Sequence, residues 1–170
     1  MKNIVLIGFM GTGKTAVAKR LARVMKLKYV STDALIEKRE GRSIGDIFSR
    51  DGEPYFRNIE KEIIKETAKN SDQVIDTGGG VVLNAENMEN LKKNGVVICL
   101  WASPAAIYER TRSHEHRPLL KVDKPEEKIK ELLEARRAYY EKADARVDTT
   151  GMEIDDVVEQ VKNISRERAA

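Results

Sequence analysis

Residues 4–15 read Ile4-Val5-Leu6-Ile7-Gly8-Phe9-Met10-Gly11-Thr12-Gly13-Lys14-Thr15, and this stretch decides the fold. Its first four residues form a purely apolar run, the pattern of a strand covered on both faces. The next eight fit G-x-x-x-x-G-K-[ST], and the apolar positions Val17, Leu21, Val24 and Met25 that follow recur at helical spacing. Strand, glycine-rich turn and helix in that order make a phosphate cradle. The glycines let successive backbone N–H groups curve round an anion, and the helix N-terminus adds its dipole. In such a loop Lys14 reaches the β- and γ-phosphates of a nucleotide, and the Thr15 hydroxyl ligates Mg2+. At average glycine usage a chain of this length would match the motif by chance on the order of once in a hundred or less. The stretch therefore predicts a nucleoside triphosphate site built from Gly11, Thr12, Gly13, Lys14, Thr15 and Ala16.

Outward from this loop, short apolar runs alternate with longer amphipathic ones, which predicts βαβ units around a parallel sheet. Further strands are expected at Tyr29-Val30, Gln73-Val74-Ile75-Asp76, residues 96–101 and residues 145–148. A helix over residues 35–39 stops near Gly41, and Ser43 caps a turn holding Ile44, Ile47 and Phe48. Phe56, Ile59, Ile63 and Ile64 share one face of a long helix running toward Asn70. Leu91 closes a short helix, and Ser103-Pro104 starts another by capping and N1 proline. A helix over about 126–143 and a terminal one through Val157, Val158, Val161 and Ile164 complete the chain. Residues 112–125 contain Pro118 and Pro125 without periodicity, the sign of a long functional loop. Neither repeat nor linker divides residues 1–170, so a single domain is expected.

The composition of the 170 residues, 41% hydrophobic and 35% charged with 4 Pro and 11 Gly, excludes collagen-like, low-complexity and disordered classes. The formal charge is only +3, and Arg110, Arg112, Arg117 and Lys121 against Glu115 account for all of it. With aromatics at 5% and no basic stripe, nucleic acid is not an expected partner. No run approaches the ~18–20 apolar residues of a membrane span, no signal peptide is discernible, and a cytoplasmic, monomeric protein is expected. Cys99 lies in an apolar run and reads as a small buried hydrophobe. His114 and His116 read as polar loop residues, since no third metal ligand with suitable spacing is evident, and Tyr139-Tyr140 as packing. A chain this short leaves no obvious room for GTPase switch elements, which favours a small-molecule phosphotransferase.

Several further segments, in order, make the chain resemble the shikimate kinases from Ile4 to about Thr149. They are Thr32-Asp33 with Ile36-Glu37, Gly41-Arg42-Ser43-Ile44, Ile47-Phe48, Phe56-Arg57 with Glu60, Gly78-Gly79-Gly80, Arg110, Arg117-Pro118-Leu119-Leu120, and Arg136 with Tyr140 and Ala143-Asp144. The resemblance implies a three-layer α/β fold, a doubly wound five-stranded parallel sheet of order 2-3-1-4-5 with a P-loop and a mobile lid. It implies a substrate-binding subregion at about 33–61 and a lid at about 112–125. The implied reaction is ATP-dependent phosphorylation of the shikimate 3-hydroxyl, in aromatic amino-acid biosynthesis, with Mg2+ as cofactor and ATP and shikimate as small-molecule partners. Lys14, Asp33 and Arg117 would be catalytic, with Asp33 accepting from the ring hydroxyls. Arg57 and Arg136 would clamp the carboxylate, helped by Gly78, Gly79 and Gly80, while Ile44, Phe48 and Phe56 form an apolar floor. Arg117 would close over the phosphoryl group, and Arg110 would lie near the adenine.

These roles suit the chemistry. Guanidinium forks hold a planar carboxylate in two places, and Glu60, three residues beyond Arg57 on a helix, can orient its fork. Positioning dominates phosphoryl transfer, so a carboxylate at Asp33 is an efficient orienter of a hydroxyl. The chain departs from the family, which usually has Asp-x-Asp where Ser31-Thr32-Asp33 stands, and often a basic residue near adenine where Thr149-Thr150-Gly151 stands. Ser31 supplies a hydroxyl but no charge. Asp76, ending an apolar strand, is expected to take over Mg2+ coordination through water. Two other readings remain beside this one: a gluconate kinase-like enzyme acting on another hydroxylated acid, and a catalytically silent binding protein, which only Ser31 favours.

Overall fold

The computed structural model describes residues 1–113 and 120–169. Five strands form one parallel sheet: β1 (Asn3–Ile7), β2 (Lys28–Ser31), β3 (Gln73–Asp76), β4 (Gly95–Trp101) and β5 (Ala145–Asp148). Their order is β2-β3-β1-β4-β5, the implied 2-3-1-4-5. In β1 side chains alternate across the sheet, as a period of two requires. Ile4 and Leu6 join Val17, Leu21, Val157 and Val161 in the core beneath α1 (Lys14–Met25) and α7 (Ile154–Ala169). Val5 and Ile7 join the opposite core. There α3 (Ile44–Thr67), α4 (Ala85–Lys93), α5 (Pro104–Thr111) and α6 (Pro125–Tyr140) contribute Ile64, Leu91, Ile107 and Leu133. Cys99 is fully buried in that second core.

A third, smaller cluster of Ile36, Ile47, Phe56 and Ile63 welds α2 (Thr32–Glu40) to α3. The separate turn and long helix expected around Phe48 and Phe56 correspond to the two limbs of α3, which meet at Gly52 with φ 82° and ψ 172°. Glycine tolerates that left-handed φ, and Pro54 then starts the second limb without needing an N–H partner. One burial and two boundaries differ from expectation. Val24 is 46% exposed, because the buried stripe of α1 ends at Leu21 and Ala22. Helix α2 begins three residues early, since Ser31 accepts from the Ala34 N–H and caps it. Pro125 is the first residue of α6 rather than the last of the loop, its ring sitting where a helix offers no partner for an N–H. The expected readings of His114, His116 and Arg117 fall outside the described residues.

Since β1 pairs with β3 on one side and β4 on the other, the connections leave in opposite directions and open a crevice at the strand C-termini. The site lies there.

Candidate active site

Gly8, Gly11 and Gly13 hold φ of 145°, 76° and 95°, so the loop after β1 takes turns that side chains resist. Thr12 Oγ1 donates to the Phe9 carbonyl at 2.7 Å, and Lys14 Nζ donates to the carbonyls of Gly8 and Phe9 at 2.8 and 3.0 Å. The ammonium is thus held inside the loop. Gly13 caps α1 with no side chain, which leaves the helix N-terminus open toward an anion. Gly11 to Ala16 line a cleft of about 890 Å3, together with Ser31, Asp33, Asp76, Gly78, Gly79 and Arg110.

Beside the loop, Thr15 Oγ1 donates to Asp76 Oδ2 at 2.7 Å, and the Tyr29 hydroxyl donates to the same oxygen at 3.0 Å. Burial, followed by the Asp76 charge, pushes the Tyr29 hydroxyl up to about 12. Ser31 faces Asp76 in the β2–β3 register. Among the described residues no cluster of three or more His, Cys, Asp or Glu makes a metal cage. What the cleft does present is hard oxygen from one hydroxyl and a carboxylate behind it, a set that fits Mg2+, which keeps most of its waters and phosphate oxygens.

Deeper along the cleft, Asp33 and Glu60 converge on Gly78. A Cβ on that glycine would stand 2.9 Å from Asp33 Oδ1 and 3.3 Å from Glu60 Oε2. Both oxygens are buried, and neither has a hydrogen-bond partner among the described residues. Burial raises the Asp33 carboxyl above the ordinary range and the charge of Asp76 adds to it, with Lys14 opposing. Burial likewise raises Glu60, against the pull of Arg57. Orphaned acceptors of this kind are arranged for donors that arrive from outside, such as hydroxyls.

Glu60 Oε1 accepts from Arg57 Nη1 at 2.8 Å, the i,i+3 contact expected from the sequence, and Glu53 accepts from Nε and Nη2 at 3.3 and 3.2 Å. The guanidinium also lies 5.2 Å from the Phe56 ring centroid and against Gly80. From the other side, Arg136 Nη1 donates to the Gly79 carbonyl at 3.3 Å and stacks over Phe9 at 5.6 Å. The glycine turn is therefore flanked by the two arginines. Phe48 and Phe56 pack with centroids 4.6 Å apart, and Ile44 is partly buried against the same cluster. At the far end Arg110 donates to the carbonyls of Gly11 and Thr149 at 3.2 and 2.8 Å and to Thr149 Oγ1 at 3.0 Å.

Three participants escaped the sequence reading. Tyr29 had only the signature of a strand residue. Thr149 is buried and lines the cleft. Tyr140 is buried packing, as expected, yet its hydroxyl also donates to the Gly79 carbonyl at 3.0 Å. The i,i+4 spacing of Arg136 and Tyr140, which puts both on one helix face, was the signal available for the last.

Comparison with known proteins shows what the whole chain resembles. The family model described as shikimate kinase matches residues 10–165. A shikimate kinase of Thermodesulfovibrio yellowstonii is 53% identical over 161 residues, covering 95% of this chain and 93% of that relative. The structure of shikimate kinase from Acinetobacter baumannii in complex with shikimate superposes with a TM-score of 0.93 at 32% identity, covering 99% of this chain and 94% of that one. Shikimate kinase from Aquifex aeolicus superposes with a TM-score of 0.82 at 34% identity, over 98% of each chain.

Proposed function

The chain belongs to the shikimate kinase family, and from that premise we propose that it transfers the γ-phosphoryl group of ATP to the 3-hydroxyl of shikimate, giving shikimate 3-phosphate and ADP. One observation carries the reading: the Gly78–Gly80 turn packs at once against Asp33, Arg57 and Arg136 while standing beside the phosphate loop. A Cβ on Gly79 would lie 3.7 Å from both the Gly8 carbonyl and the Met10 N–H. An acid whose carboxylate sits between the two guanidinium groups thereby points its ring hydroxyls at Asp33, next to the γ-phosphate position.

The reaction follows from that placement. The 3-hydroxyl donates to Asp33, its oxygen attacks the γ-phosphorus, and the bond from that phosphorus to the β–γ bridging oxygen breaks as ADP leaves. The hydroxyl proton passes to Asp33 or to the new phosphate ester. Lys14 stabilises the charge that develops on the phosphoryl oxygens. Thr15, with Asp76 behind it through water, would hold Mg2+, and the ion would supply charge neutralisation at the phosphates. Arg57 and Arg136, with the Gly79 and Gly80 N–H groups, hold the carboxylate over the floor of Ile44, Phe48 and Phe56, and Glu60 keeps the Arg57 fork in position. Arg110 flanks the adenine, and residues 112–125, with Arg117, close over the phosphates and exclude water. The whole is one domain with its acceptor subregion at about 33–61, acting on small molecules as a cytoplasmic monomer.

Against the silent-protein reading stands the register of Asp76 opposite Ser31, which supports a carboxylate on the metal side in place of the usual acid. A coupled assay of ADP release with ATP and Mg2+, offering shikimate, gluconate or no acceptor, tests the reading. Acceleration by shikimate alone is expected. Acceleration by gluconate would transfer the enzyme to the other acid, and silence with retained ATP binding would leave only a binding protein.

A further inference from the structure

We infer that Tyr29 is a positioning residue for the metal side of the site, acting through the carboxylate of Asp76; the inference rests on the reading of Asp76 as the acid behind Mg2+. Tyr29 precedes Ser31 by two residues on β2, so both side chains project to the same face. Ser31 is the direct register partner of Asp76 and Tyr29 its diagonal neighbour. Across that diagonal only a long side chain reaches. Tyrosine spans it, and its hydroxyl stops 3.0 Å from Asp76 Oδ2. Ser31, although directly opposite, has its hydroxyl oxygen engaged by the Ala34 N–H at the start of α2.

The position of the bond matters more than its existence. Thr15 and Tyr29 donate to the same oxygen, Oδ2, from the phosphate loop and from β2. A carboxylate gripped on one oxygen by two hydroxyls on different elements cannot rotate about its terminal torsion without breaking both contacts, whereas that torsion is otherwise soft. Two consequences follow for a cation arriving with a nucleotide. The hydrogen of Thr15 stays committed to the carboxylate, so the lone pairs of Oγ1 are presented to the cleft. Oδ1, which accepts from neither hydroxyl, remains for a water of the hydrated ion. The Tyr29 ring is itself braced, with Lys19 Nζ 5.7 Å from its centroid, and both residues line the cleft.

The test uses the full-length enzyme and Mn2+ as a probe, with binding of Mn2+ in the presence of ADP followed by electron paramagnetic resonance, so that no turnover is involved. Tyr29→Phe removes only the hydroxyl, and Tyr29→Leu serves as a second variant lacking it. Both are expected to weaken Mn2+ binding about tenfold, the lower end for partners that orient a metal-site ligand, and to raise the Mg2+ concentration needed for half-maximal turnover in proportion. In an Asp76→Asn background the same change should do nothing further. If Asp76→Asn weakens Mn2+ binding while the Tyr29 variants lower only thermal stability, Tyr29 is structural and the inference fails. An equal effect of Tyr29→Phe with and without Asp76 overturns it too, because the hydroxyl then acts by another route. Should Asp76→Asn leave Mn2+ affinity intact, the reading of Asp76 fails first and takes the positioning role with it.

Discussion

Gly80 lies against the guanidinium of Arg57: a methyl group there would overlap Nη2 and stand 2.7 Å from Nη1. Arg57 cannot simply turn away, since Nη1 is held by the buried Glu60 and Nη2 by Glu53. Gly80→Ala should therefore displace one half of the carboxylate clamp without disturbing the sheet. The apparent KM for shikimate is expected to rise at least about tenfold, as for the loss of a charge-assisted contact, with the KM for ATP unchanged. Steady-state kinetics with each substrate varied in turn provide the check, and an unaltered shikimate KM would detach Arg57 from the acceptor.

Arg136 and Tyr140 hold the other side of the turn through the Gly79 carbonyl. Arg136→Ala should raise the shikimate KM by more than about tenfold, equivalent to ~1.5–3 kcal/mol. Tyr140→Phe keeps the packing and removes one donor. It is expected to lower stability by about 0.5–1.5 kcal/mol and to affect the shikimate KM far less than Arg136→Ala. Urea denaturation alongside kinetics separates the two, and equal KM effects would contradict the division of labour.

Asp33 ties stability to pH in a definite direction. Its carboxyl is raised above the ordinary value by burial and by Asp76, so the folded protein binds this proton more tightly than the unfolded chain. Stability on account of Asp33 therefore falls as pH rises from the unfolded pKa through the folded one, and above the latter the full penalty of a buried charge is present. Asp33→Asn should accordingly be more thermostable than the parent at pH 7.5, and that advantage should shrink toward pH 4, while phosphoryl transfer is lost throughout. Melting curves at the two pH values, with ADP release measured in parallel, decide it. A variant less stable at pH 7.5 would mean that Asp33 gains more from its neighbours than it loses by burial.

Lys14 closes the phosphate loop on the Gly8 and Phe9 carbonyls at 2.8 and 3.0 Å. Lys14→Met removes both that brace and the charge next to the transferred group. Removal of one such preorganised donor lowers kcat by roughly 10²–10³-fold, and a loss of that size or greater is expected here. Circular dichroism confirming the fold makes the kinetic comparison meaningful.

Cys99 is buried in the core, where desolvation pushes its thiol up to about 11. Iodoacetamide at pH 8 should leave it untouched in the native enzyme and alkylate it fully in urea, a contrast visible by mass spectrometry. Rapid alkylation without denaturant would place the thiol nearer the surface than the packing of β4 allows.

The amino-acid sequence by itself determined everything whose cause lies within a few residues. The loop over Gly8 to Thr15 announced its ligand because its glycines, lysine and threonine act on one phosphate chain from one turn. The contact of Arg57 with Glu60 was equally legible, since three positions along a helix bring side chains together whatever surrounds them. Tertiary structure alone decided the rest of the site. The Tyr29 hydroxyl meets Asp76 across 47 residues, Tyr140 meets Gly79 across 61, and Arg110 meets Thr149 across 39. None of these pairs shares a helix face or a turn. They are brought together by the register of β2 on β3 and by the packing of α5 and α6 on one face of the sheet. Val24 shows the same limit from the other direction, for helical spacing tells which residues share a face but not how far along it the neighbouring layer extends. Periodicity is a property of one element, whereas burial and long-range hydrogen bonding belong to pairs of elements and exist only once the sheet has been assembled.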